Sequence, residues 1–252
     1  MAFIDSHAHL PLRPGAREAL LTTMDRLGIG RTIVVAGGSV TPEKLSAQIA
    51  LGGGTDVDID NLALADACAP SGGRLVPFFF ANPHRGAAAY RQQGSAFAGL
   101  KLGPAVHGIA LSDPRTESLV QTARDLGHPV YLHCLARPGF TVDDLLPLAG
   151  RYPSVTFLLG HAGVGNCDLY AVQRIQPHRN IWLETSGGFT CVIEAAIRQL
   201  GADRVIFGSE YPLQNPRAEI EKAKCLAIDD SAFAALMGGN CRRLLGGEVA
   251  RG

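Results

Sequence analysis

PVYLH at Pro129–His133, VTFLLG at Val155–Gly160, NIWLE at Asn180–Glu184 and RVIFGS at Arg204–Ser209 are four apolar runs that begin 26, 25 and 24 residues apart. Each is too short for a helix and rich in β-branched, leucine or aromatic residues, so each reads as a strand. Toward the N-terminus the same grammar recurs at Phe97–Leu102, Arg74–Ala81, Arg31–Ala36 and Ala2–Asp5. Between these runs lie amphipathic stretches that fit helices, among them Ala16–Leu27, Asn61–Ala69, Thr116–Leu126, Val142–Tyr152, Thr190–Leu200 and Pro216–Ala227. Strands that alternate with helices are parallel, because a parallel neighbour needs a long return connection. Eight such units in 252 residues match the size of a (β/α)8 barrel. An open doubly wound sheet is the rival, but no GxGxxG follows the first strand, and Gly28 and Gly30 precede the second. The expectation is an α/β fold, a distorted TIM barrel forming a single domain over residues 1–252. The stretch Gly37–Asp60, with Gly52-Gly53-Gly54, is expected to be an extended mobile loop near the active face.

Composition supports a packed enzyme-sized domain and excludes several classes. Hydrophobic residues make up 46% and charged residues 18%, which rules out disorder for most of the length. Lysine plus arginine (23) equals aspartate plus glutamate (23), so no global field attracts nucleic acid or an anionic membrane. No apolar run approaches the roughly 18 residues of a membrane span, and no secretory leader is visible. The chain reads as cytoplasmic, with no nucleic-acid or membrane partner. Cys68, Cys134, Cys167, Cys191, Cys225 and Cys241 contain no CxxC pair and are expected to be buried free thiols.

Several strands end in a side chain capable of chemistry. His7 and His9 follow the first, Lys101 closes the fourth, His133 the fifth, His161 the sixth, Glu184 the seventh and Glu210 the eighth. In a βα barrel these ends open on one face, where catalytic groups gather. His7 and His9, two apart, can share one divalent cation, with Asp5 beneath them as an acceptor for an imidazole N–H or as a structural aspartate. His133 ends an apolar strand, where an unpaired imidazole is costly, so a third metal ligand is the sharper reading. For His161, flanked by glycines, ligand, substrate donor and acid/base roles all stay open. Glu210 can bind the cation or take a proton from water. Lys101 facing the mouth would hold a substrate carboxylate, and a carbamylated bridging lysine is the third option for it. His107 and Arg137 lie in the following loops as further candidates for lining the pocket, although exposure is the default for each.

The segments Phe3-Ile4-Asp5-Ser6-His7-Ala8-His9, Gly99-Leu100-Lys101-Leu102, His128-Pro129-Val130-Tyr131-Leu132-His133, Leu159-Gly160-His161-Ala162-Gly163, Phe207-Gly208-Ser209-Glu210-Tyr211-Pro212 and Asn240-Cys241-Arg242-Arg243-Leu244-Leu245 occur in this order. Together they resemble the amidohydrolase superfamily, in its amidohydrolase-related branch of metal-dependent hydrolases and decarboxylases. The resemblance implies a distorted TIM barrel with one divalent metal, usually zinc, with Mn2+ or Fe2+ as alternatives. By that match the ligands would be His7, His9, His133 and Glu210, with His161 orienting substrate or acting as acid/base. One departure is visible: Glu210 stands where the family nearly always has aspartate, which moves the carboxylate by about 1.5 Å.

Three functions follow as expectations. The first is metal-dependent hydrolysis of an ester, lactone or amide of a small acidic molecule, with Lys101, Arg137 and His107 as substrate contacts and Glu210 and His161 as catalytic groups. The second is nonoxidative decarboxylation of a small carboxylic acid, placed second because many such relatives have longer chains. The third is a barrel without turnover that binds a metabolite or partner. The resemblance allows a homodimer, since family members often pair, but the sequence shows no isolated apolar surface stripe that specifies one.

Overall fold

The computed structural model describes residues 2–38 and 40–246. Its strands are β1 (Phe3–Pro11), β2 (Ile29–Gly37), β3 (Leu75–Pro77), β4 (Phe79–Ala81), β5 (Leu100–Leu102), β6 (Val130–Leu132), β7 (Phe157–Leu159), β8 (Ile181–Glu184) and β9 (Val205–Ile206). All neighbours are parallel, in the orders β1-β2-β3 and β4-β5-β6-β7-β8-β9.

The run expected as one strand, Arg74–Ala81, divides at Phe78 because its two halves pair with different neighbours. Pro77 ends the ladder with β2, the Phe78 amide donates to Val34 O at 2.9 Å, and the Phe79 amide donates to Gly99 O at 2.8 Å. Counted as one bent strand, β3 and β4 make eight strand positions. Between the last and the first, ladder pairing shrinks to a single bridge, Ala8 with Tyr211. Backbone bonds still span the gap: the Ser6 amide donates to Phe207 O (2.9 Å), Glu210 N to His7 O (2.9 Å) and His9 N to Tyr211 O (2.6 Å).

The helices include α1 (Ala16–Leu27), α2 (Pro42–Leu51), α3 (Asn61–Cys68), α4 (Ala88–Gln93), α5 (Pro104–His107), α6 (Pro114–Leu126), α7 (Val142–Arg151), α8 (Leu169–Ile175), α9 (Thr190–Leu200) and α10 (Pro216–Lys224), of which α2 and α5 lie over the mouth of the ring. Their ends carry local signals. Asp113 caps α6 ahead of Pro114, and Thr141 with Asp144 forms a capping box on α7. Gly28 and Gly127 close α1 and α6 in the left-handed conformation that glycine adopts without steric cost.

Alternation along the strands builds two apolar layers. Leu100, Leu102, Val130, Leu132, Phe157, Leu159, Leu183 and Phe207 pack toward the helices in the larger cluster. Ile4, Ile33, Val35, Phe78, Phe80, Tyr131, Leu158 and Ile206 fill a second cluster inside the ring. Successive strand residues point to opposite faces, so Lys101 on β5 and Glu184 on β8 share the inward parity of Tyr131 and Leu158.

Three expectations change here. The histidine pair does not follow the first strand; β1 runs on to Pro11 and contains it. A register shift sets two residues of β1, Ser6 and His7, against one of β2, Ile33, between the pairs Asp5–Thr32 and Ala8–Val34. That bulge reverses parity, which is how Ile4 and His7 both come to face inward. The Gly37–Asp60 stretch is also no plain loop, because Thr41 caps α2 inside it with Pro42 in the first turn. The thiols divide as well: Cys68, Cys134 and Cys241 are buried, but Cys167, Cys191 and Cys225 are exposed. No described helix is long and apolar enough to cross a membrane.

Candidate active site

The rim of the ring on the side of the strand C-terminal ends encloses a cavity of about 760 Å3. Its lining combines apolar side chains, Leu45 and Ile49 from α2, Phe80, Val106 and Leu135, with the polar groups of His9, Lys101, His133, Arg137, His161 and Glu210. The glycine-containing stretch after β2 therefore does reach the active face, through Ile49, Ala50, Leu51 and Gly52.

Glu210 is the focus. Its Oε2 lies 2.9 Å from His7 Nε2 and 3.9 Å from His161 Nδ1, and its Oε1 lies 3.3 Å from His9 Nε2. Glu210 adopts a left-handed backbone (φ 56°), a conformation uncommon outside glycine, which turns its side chain back over β1. His7 Nε2 and Glu210 Oε2 are close, yet neither is satisfied by a well-directed hydrogen bond. Two buried polar atoms side by side without aiming at each other are costly unless a third group lies between them. Burial and the nearby Lys101 push the His7 imidazole well below its ordinary pKa, so it is neutral and offers a lone pair. Burial works against charge on Glu210, but the rings of His7, His161 and His9 outweigh it and hold the carboxyl well below its ordinary range. A carboxylate oxygen beside a neutral imidazole is a donor set suited to a divalent cation. The metal-binding atoms of His7, His161 and Glu210 all lie within 4.8 Å of one another.

His133 sits beside this cluster, its ring centroid 5.9 Å from that of His161. Its Nε2 accepts a hydrogen bond from the Ala105 amide at 3.0 Å, so in this arrangement that nitrogen is engaged at the start of α5. Burial first, then Lys101 and His161, push its pKa well below the ordinary value. Asp5 does not meet an imidazole. It accepts from the amides of His7 (3.1 Å) and Ser209 (2.9 Å) and from the Ser209 hydroxyl (2.5 Å), tying β1 to the segment that carries Glu210.

Lys101 is buried and faces the cavity, with Nζ 4.0 Å from the centre of the Tyr131 ring. Burial lowers its pKa to about 8, against the pull of Glu210 and Glu184. Arg137 lines the cavity and donates to Gln48 O at 2.9 Å, linking the segment after β6 to α2. His107 is the one candidate held apart: it is the buried last residue of α5, its ring against Phe80 and its Nε2 3.4 Å from Val57 O, and it does not line the cavity.

Sequence reading left a buried network under the cluster without a role. Glu184 is fully buried and accepts from the Tyr131 hydroxyl (2.8 Å), the His161 amide (3.0 Å), the Ser186 amide (2.6 Å) and the Ser186 hydroxyl (2.9 Å). Ser186 Oγ lies 2.9 Å from His161 Nδ1. The available signal was glycine at two strand ends. A Cβ at Gly160 would meet the Tyr131 hydroxyl at 2.3 Å, and one at Gly208 would meet Glu184 Oε1 at 2.2 Å.

Residues 4–247 match the sequence profile of the family described as amidohydrolase. The chain belongs to the amidohydrolase family. A γ-resorcylate decarboxylase of Polaromonas sp. (strain JS666 / ATCC BAA-500) is 32% identical over 112 residues, covering 35% of this chain and 32% of that protein. The matched part is thus about a third of the curated relative's length. Among solved structures, the 5-carboxyvanillate decarboxylase of Novosphingobium aromaticivorans DSM 12444, complexed with manganese and 4-hydroxy-3-methoxy-5-nitrobenzoic acid, superposes with TM-score 0.73 at 16% identity. That superposition covers 97% of this chain and 96% of the decarboxylase chain. A Pseudomonas putida protein assigned as a 2-pyrone-4,6-dicarboxylic acid hydrolase superposes with TM-score 0.72 at 18% identity, covering 97% of each chain. These structures share the amidohydrolase fold with this chain, which supports the barrel reading. Chain length does not separate decarboxylases from this amidohydrolase, because the superposition spans nearly all of one of them.

Proposed function

We propose that this protein is a metal-dependent enzyme that releases carbon dioxide, without an oxidant, from a small aromatic or similarly unsaturated carboxylic acid. The observation that carries the reading is a single cavity that brings together the Glu210 carboxylate, the imidazoles of His9, His133 and His161, a buried lysine and the apolar side chains of Leu45, Ile49, Phe80 and Leu135. His7, His9 and Glu210 would hold the cation, joined by His133 if its ring leaves the Ala105 amide. The cation, Mn2+ or Zn2+, would supply a fixed positive charge that orients the carboxylate end of the substrate.

The chain's own groups account for the rest. Leu45, Ile49, Phe80 and Leu135 take the ring and exclude water from the carbon that loses its carboxyl. Lys101, braced on Tyr131, pairs with a substrate oxygen, and Arg137 neutralises a second acidic group at the mouth. His161 delivers a proton to the ring carbon as the carbon–carbon bond breaks, so that carboxylate plus proton become carbon dioxide and a C–H bond.

Hydrolysis is the second reading, favoured by the resemblance to the assigned pyrone hydrolase. In it Glu210 takes the proton of the attacking water and returns it to the leaving group. A panel of hydroxylated benzoates and one of unsaturated lactones, run on Mn2+- and Zn2+-loaded protein, separates the two. Carbon dioxide release from the first supports decarboxylation; ring opening of the second alone supports hydrolysis. Turnover of neither would refute both and leave a binding barrel.

A further inference from the structure

Resting on the reading of His161 as the proton donor, we infer that Glu184 and Ser186 are positioning residues that decide which nitrogen of His161 carries its proton. Glu184 is buried at the floor of the site, and all four groups it meets are able to donate: the Tyr131 hydroxyl, two backbone amides and the Ser186 hydroxyl. The Tyr131 hydroxyl stays protonated, since burial and then Glu184 and Glu210 raise its pKa well above the ordinary value. With its hydroxyl proton committed to Glu184 at 2.9 Å, Ser186 Oγ can only accept from the imidazole at its other side, 2.9 Å away. His161 Nδ1 then carries hydrogen in every state, and Nε2, bare in the resting ring, first takes a proton from water or from an acidic hydroxyl of the substrate and then, as the imidazolium held at Nδ1 by Ser186, gives that proton to the ring carbon and returns to the neutral form. The same arrangement takes Nδ1, the His161 nitrogen 3.9 Å from Glu210, out of metal binding and reserves His161 for substrate.

The backbone that carries the ring is held as well. Glu184 also accepts the His161 amide, and His161 and Ala162 both sit in the left-handed region (φ 60° and 53°), so the backbone is fixed from the same carboxylate that fixes the ring. Gly208 and Gly160 provide the space for the carboxylate and the tyrosine hydroxyl. The device consists of a carboxylate, a hydroxyl and an imidazole in series.

Imidazole 15N chemical shifts of the Zn2+-loaded, uniformly labelled protein test this directly. The expected wild-type result is a His161 ring protonated at Nδ1 and bare at Nε2. In Ser186→Ala, which keeps the other three bonds to Glu184, the proton is expected to move mainly to Nε2, with kcat falling about 100-fold, the low end of what general acid–base catalysis contributes, and KM changing less than threefold. A wild-type ring protonated at Nε2 overturns the inference even if the variant fails to fold. So does an unchanged tautomer in Ser186→Ala, or a changed one with undiminished kcat. Absence of turnover in wild type with the expected tautomer intact would instead count against the decarboxylase reading alone.

Discussion

Replacing Gly208 by alanine probes whether Glu184 is pinned as described. An ideal Cβ at this position lies 2.2 Å from Glu184 Oε1, 2.8 Å from Cδ and 3.2 Å from Cγ. The backbone of Gly208 is not in the left-handed region, so alanine adds no conformational strain and the conflict is purely steric. Glu184 has no free direction: it is fully buried and held by Tyr131, His161 and Ser186. Overpacking costs about 1–3 kcal/mol, and turning the carboxylate loses at least one hydrogen bond to a charged group, about 1.5–3 kcal/mol. The sum is about 2.5–6 kcal/mol, which at roughly 2–4 °C per kcal/mol for a chain of this size lowers Tm by about 5–24 °C. Scanning calorimetry of the two proteins in one buffer measures it. A variant melting within about 2 °C of wild type would show that the carboxylate moves freely, and the positioning argument would fail with it.

Gly150→Ala makes the opposite change: Gly150 lies inside α7 with nothing near its missing Cβ, so alanine should stabilise by about 0.5–1 kcal/mol in urea titrations. Arg204, buried to 2% exposure, donates to the carbonyls of Leu200, Ile175, His178, Ile181 and Gln176. Arg204→Leu strands several of those acceptors and should cost about 3 kcal/mol or more by the same titration. His107, whose pKa burial lowers to about 4 from 6.5, binds its proton more readily when unfolded. Its contribution is complete above pH 6.5 and is lost as pH falls toward 4, about 2 kcal/mol between pH 6.5 and 5. His107→Leu should flatten that part of the stability–pH curve, and an unchanged slope would contradict the burial argument.

Much of the fold was legible because parallel strands buried on both faces leave continuous apolar runs, as Val130–Leu132 and Phe157–Leu159 do. Helices α1 and α9 ended where the sequence reading placed them, at Leu27 and Leu200, each followed by glycine. The bulge in β1 was hidden because Ser6 and His7 read as polar residues after a strand ending at Asp5, and only pairing with β2 reveals that they continue it. Helix α2 escaped notice among sparse apolar residues, although Thr41-Pro42 is a start signal. Of the site, the convergence of His7, His9, His161 and Glu210 followed from strand-end position, and Lys101 from its polarity inside an apolar strand. Spacing could not say that His133 Nε2 meets the Ala105 amide, that His107 turns toward Phe80 and Val57, or that Tyr131 and Ser186 both reach Glu184. These facts depend on ring and carboxylate orientation, which only packing determines.

Metal content after stripping with chelator, reconstitution with Mn2+ or Zn2+ and removal of excess ion tests the central claim most directly. The account predicts about one equivalent per chain in wild type and less than a tenth of that in correctly folded His7→Ala and Glu210→Ala. Wild-type protein that retains no stoichiometric ion, or variants that retain as much as wild type, would contradict it.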